Sequence, residues 1–132
     1  MIYKLFGAAL IAVLLAMSAA ADQTVGTADK AALQAAMQRH IDRSLINGAY
    51  LHLDFETGEV RKLHPVKAHP IILRMGEYFV LCSDFRDAAG KSVNIDFYLA
   101  RQDRSYVVLR SAVDDHKNLQ RLMKKRKITR LE

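Results

Sequence analysis

Asn47-Gly48-Ala49-Tyr50-Leu51-His52-Leu53-Asp54-Phe55-Glu56 is the stretch at which the hydrophobic period of this chain changes. Upstream of it, Leu33, Met37, Ile41 and Leu45 recur at helical spacing with Ala36 and Ser44 beside them, which makes one apolar stripe. Downstream of it, Leu51, Leu53 and Phe55 alternate with His52, Asp54 and Glu56, the period-two pattern of a strand with one apolar face. Asn47-Gly48 reads as the stop between the two, because Gly accepts the left-handed backbone of a helix C-cap. The pattern predicts a helix over 28–46, with Thr27 as its cap and Asp29 at the positive end of its dipole.

Strand patterns continue toward the C-terminus. Thr57-Gly58 predicts a hairpin turn and Glu59 to Leu63 the returning strand. His64-Pro-Val-Lys-Ala-His69-Pro70 breaks the ladder, since neither proline donates a backbone hydrogen bond, which assigns it to a sheet edge or a crossover. Ile71 to Met75, Tyr78 to Phe85, Val93 to Ala100 and Tyr106 to Val113 follow as strands. Matching apolar faces sets Phe85 beside Val93, Leu81 beside Phe97 and Phe79 beside Leu99. The next hairpin then sets Leu99 beside Val107 and Phe97 beside Leu109. In that register Cys82, Asp96 and Arg110 form a row across three strands on the polar face, with Asp96 and Arg110 as an ion pair.

Asp114-Asp115 can cap a final helix from about His116 to Lys127, in which Leu119, Leu122 and Met123 share one face. A long amphipathic helix and one-sided strands must bury their apolar sides together. The expected fold is α+β: an N-terminal helix packed on a curved antiparallel sheet of five to six strands, followed by a short basic helix. This order of elements across residues 28–113 resembles the cystatin-like and nuclear-transport-factor-like folds, and small exported inhibitor modules built of a sheet and a helix. The resemblance implies a fold that hosts binding modules, inhibitors and a few enzymes. The Gln-Val-Val-Ala-Gly type of loop found in cystatins is missing, so protease inhibition does not carry over.

The other end of the chain is an address. Lys4 precedes the apolar run Leu5 to Met17, and Ser18-Ala-Ala-Ala21 supplies the small side chains that signal peptidase accepts. The run is shorter than the roughly 20 residues a membrane span needs. Cleavage is expected between Ala21 and Asp22, releasing a periplasmic or secreted domain. Asp22 stands where a lipoprotein would carry a cysteine, which argues against a lipid anchor. The remaining 111 residues suffice for one hydrophobic core, and their single cysteine, Cys82, excludes an intramolecular disulfide. Within Tyr78-Phe-Val-Leu-Cys82 that thiol reads as a small buried hydrophobe.

Charge is unevenly placed. Asp22 to His116 carries 12 basic and 13 acidic residues, whereas Lys117 to Glu132 carries 7 basic residues and one acid. Lys117, Arg121, Lys124, Lys125, Arg126, Lys127 and Arg130 are therefore candidates for contact with an anionic membrane surface or an acidic partner. Nucleic acid is disfavoured, since the tail lacks base-stacking aromatics. His52 and Asp54 at i,i+2, with His64 and His69 beside the prolines, are candidate zinc or copper ligands, although no spacing matches an established site pattern. The polar row of His52, Asp54, Cys82, Asp84, Asp96 and Arg110 is a candidate surface. A pocket, if one forms on the concave face, would be lined by Met37, Ile41, Phe55, Phe79 and Phe97. No phosphate loop, nucleophile elbow or zinc-protease helix occurs. The expected function is a non-catalytic binding or accessory module without a cofactor, engaging an envelope protein or small ligand.

Overall fold

The computed structural model describes residues 25–126 and 128–131. The export signal and its cut site lie outside the described residues, as does Lys127. Helix α1 (Thr27–Ser44) leads into β1 (Leu45–Ile46), β2 (Ala49–Leu53), β3 (Val60–Met75), β4 (Tyr78–Arg86), β5 (Ser92–Gln102) and β6 (Ser105–Val113). Helix α2 (His116–Arg126) and β7 (Thr129–Arg130) complete the described chain. The strands form one antiparallel meander in the order β1 to β6, with β7 paired to β3. The fold is α+β, with six to seven strands.

The helix ends two residues before the expected position. Leu45 pairs with Tyr50 and Ile46 with Ala49 around Asn47-Gly48, whose φ angles are 50° and 79°. Two consecutive left-handed residues are the requirement of a tight hairpin that matches strand twist. Asn47-Gly48 is therefore a hairpin turn and not the helix cap. Gly26 occupies the N-cap position with no side-chain cap, and Thr27 is already helical.

That hairpin sets the facing of β2. Tyr50 turns inward, where its ring lies 5.7 Å from that of Phe85 and 6.4 Å from that of Phe97, while Leu51 and Leu53 face outward. The sequence expectation had the opposite parity. Tyr50 wins because its large ring fills the core and its hydroxyl finds a partner, Ser111 Oγ at 2.8 Å. This bond links β2 to β6, which are not ladder neighbours, across the open seam of the curled sheet. Arg61 Nη1, 3.7 Å from Asp114 Oδ2, spans the same seam.

The proline segment bends β3 without ending it. Register shifts fall between Pro65 and Lys67 and between Ala68 and Ile72. On its other side β3 pairs with β2 only as far as Leu63 and meets β7 only from Leu73, so both prolines sit on an open edge. Helix α1 covers part of that edge, with Gln34 Nε2 donating to the carbonyl of His69 at 3.0 Å.

Leu33, Met37 and Ile41 from α1 meet Leu81, Phe85, Val93, Ile95, Phe97 and Leu99 in a sealed core. The helix start is fixed by Asp29, which accepts hydrogen bonds from Tyr106 at 3.0 Å and Arg101 at 3.2 Å. Met37, Ile41, Phe79 and Phe97 are buried in packed contact, so the space where a concave pocket was expected is filled. Phe55 is 92% exposed and does not belong to it.

Candidate functional site

The β4–β5 register follows the expectation along its length: Phe85 pairs with Val93, Leu81 with Phe97, Phe79 with Leu99, and Cys82 with Asp96. The β5–β6 register does not. Two-residue pairing at Gln102 and Ser105 starts the ladder one residue later than expected, and a bulge between Tyr98 and Leu99 adds a further residue. Leu99 consequently pairs with Val108, Phe97 with Ser111 and Asp96 with Ala112. Arg110 faces Tyr98, and the expected Asp96–Arg110 ion pair is not formed.

The convex face of β4, β5 and β6 thus carries an unusual floor. Asp96 is 1% exposed, and its Oδ2 has no hydrogen-bond partner among the described residues. Burial raises its pKa above the ordinary carboxylate value against the opposing pull of His116, the first residue of α2. Burial, reinforced by Asp96, pushes the Cys82 thiol up to about 11, so it stays protonated at neutral pH and is a poor nucleophile. Tyr98 is raised as well, first by burial and then by Asp96 and Asp115. Asn94 Nδ2 donates to Asp84 Oδ1 at 3.3 Å, and His69 Nε2 lies 2.8 Å from Asp84 Oδ2. The His69 contact is the first cause of a lowered Asp84 pKa. No sequence signal pointed to this pair, because it depends on how β3 runs beside β4 through the prolines.

The other histidine candidates are scattered. Asp54 is occupied in its turn, accepting from the backbone N–H of Glu56 at 2.8 Å and Thr57 at 3.3 Å. His52 faces Arg61 across β2 and β3, and His64 faces Arg86. Among the described residues no three His, Cys, Asp or Glu side chains stand close enough to hold a metal ion.

Helix α2 lies over one end of the convex face and does not seal it. Its Leu119 and Leu122 are half-buried, and Met123 is exposed. Asp115 Oδ2 accepts from Asn118 Nδ2 at 2.6 Å in the first turn, whereas Asp114 turns back to β5 and accepts from the N–H of Asn94 at 3.1 Å. Beyond α2 the chain returns to the sheet, where β7 pairs with β3 and the N–H of Leu131 donates to the carbonyl of Ile72 at 2.9 Å. The helix is thus held at both ends over a cleft of about 550 Å³. Tyr98, Leu109, Ala112 and Leu122 line it together with Arg110, Arg121 and Lys125, and Asp115 is the one acid among its lining residues. Among the described residues no carboxylate forms an ion pair with Arg110, Arg121 or Lys125. Arg130 sits apart from this group, in β7 beside β3. No helix among the described residues is long and apolar enough to cross a membrane. The chain matches no family model, no curated protein and no solved structure.

Proposed function

We propose that this protein is an exported, non-catalytic binding module that meets an anionic lipid surface through α2. The observation that carries the reading is the charge of that helix: Lys117, Arg121, Lys124, Lys125 and Arg126 are exposed, and α2 contains no acid to neutralise them. Each such cation near an anionic leaflet contributes about 1 kcal/mol, so several on one short helix give useful attraction. The leader-like residues 1–21 support export, and the protonated state of Cys82 supports a role other than thiol chemistry. Tethering of α2 at both ends favours a fixed charged face over a tail that inserts.

The test is co-sedimentation of protein expressed from the full-length sequence with vesicles containing phosphatidylglycerol, compared with pure phosphatidylcholine. Pelleting should be confined to the anionic vesicles and fall sharply as salt shortens the Debye length. The triple variant K117Q/K124Q/R126Q, which leaves the cleft residues intact, should abolish it. Equal pelleting with neutral vesicles, or no effect of salt, would refute the reading.

A further inference from the structure

The cleft beneath α2 has two chemistries in one enclosure. Its lining is apolar at Tyr98 and Leu109 of the sheet and Leu122 of α2, and Arg110, Arg121 and Lys125 bring positive charge to the same space. The bulge in β5–β6 contributes to this arrangement: a regular ladder continued from Leu99–Val108 would pair Leu109 with Tyr98, whereas the bulge leaves Leu109 out of the ladder and 58% exposed and sets Arg110 opposite Tyr98. Ala112 opposite Asp96 is small enough to leave the space open.

We infer that this cleft binds one medium-chain fatty acid, with the acyl chain on the apolar lining and the carboxylate against Arg110 and its neighbouring cations. The inference rests on the preceding reading only in taking the α2 side as the anion-facing side of the molecule. A volume of about 550 Å³ lies within the range of small-ligand pockets, roughly 300 to 1,000 Å³. The planar guanidinium fork suits a carboxylate, and none of the three cations is in an ion pair with a carboxylate among the described residues. Asp115 decides between anions: beside it a monoanionic carboxylate meets less repulsion than a dianionic phosphate. A neutral chain would leave the cations without a counter-charge.

Calorimetric titration of the delipidated protein, expressed from the full-length sequence, with dodecanoate should give saturable binding at one site per chain. Dodecanol and dodecyl phosphate should each bind at least about tenfold more weakly, the scale expected for losing or mismatching a close charge pair. The R110Q/K125Q variant should weaken dodecanoate by a similar factor, and Leu109→Glu, at an exposed position, should do so by placing a negative charge on the apolar lining. Circular dichroism of both variants should match the parent. The proposal is overturned by non-saturating uptake, by equal or tighter binding of dodecanol or dodecyl phosphate, or by undiminished affinity in both variants. Failure of vesicle pelleting with dodecanoate binding intact would remove the surface reading and leave the cleft. The reverse result would remove the cleft alone.

Discussion

The two faces of β4 and β5 are made from alternate residues of the same strands, yet they have been put to different uses. The concave face, with Leu81, Phe85, Phe97 and Leu99, closes against α1 and leaves nothing exposed. The convex face carries Cys82, Asp84, Asn94, Asp96 and Tyr98, and the helix laid over it stays half-docked. Without a disulfide in the described residues, stability has to come from the first face. That leaves the second free to keep groups that cost stability, such as a buried carboxylate with an unpartnered oxygen, and cations that form no ion pair among the described residues. Polar groups retained against their folding cost on one face only are the reason to look for binding there.

Substitutions on the two faces should separate these roles. The largest effect belongs to Phe97→Ala, which removes a buried ring in contact with Tyr50 and His40 and should cost about 3 to 5 kcal/mol in urea unfolding. On the convex face the sign should reverse. Because burial raises the Asp96 pKa, the folded protein holds that proton more tightly than the unfolded chain does. The penalty is absent below the unfolded value near 3.9 and grows as pH rises through the folded one. Asp96→Asn should therefore stabilise the protein at pH 7, by roughly 1 to 2 kcal/mol, with the gain vanishing toward pH 4. A loss of stability at pH 7 would mean that the carboxylate serves the fold. At the seam, Tyr50→Phe should cost about 0.5 to 1.5 kcal/mol, the net value of its bond to Ser111.

Legibility in the sequence followed the same division. The helix stripe and the whole β4–β5 register could be read because their apolar residues alternate without interruption, and a slip by one would have exposed Leu81 and Phe97. The rest was hidden by local irregularities that pattern does not encode. Asn47-Gly48 serves helix stops and hairpin turns equally well, and choosing the wrong one inverted β2. The hairpin register and the β5–β6 bulge, one residue each, moved Arg110 from Asp96 to Tyr98, and the prolines concealed the continuity of β3 and with it the His69–Asp84 pair. Of the candidate site, the tail's charge was legible; the cleft was not, since it depends on the bulge and on β7 bringing the chain back to β3.

The smallest expected effect tests the inverted strand directly. If Leu51, Leu53 and Phe55 faced the core, as alternation alone suggests, Phe55→Ser would open a cavity and cost several kcal/mol. With Phe55 at the tip of the Asp54–Gly58 turn and almost fully exposed, the same substitution should change stability by no more than about 0.5 kcal/mol. Tyr50→Ala, within β2, should cost about 3 kcal/mol or more, since it empties the space between Phe85 and Phe97. The contrast between these two positions in urea unfolding reports which side of β2 faces α1, independently of the seam bond. A large loss at Phe55 with a small one at Tyr50 would restore the simple alternation and with it the helix-cap reading of Asn47-Gly48.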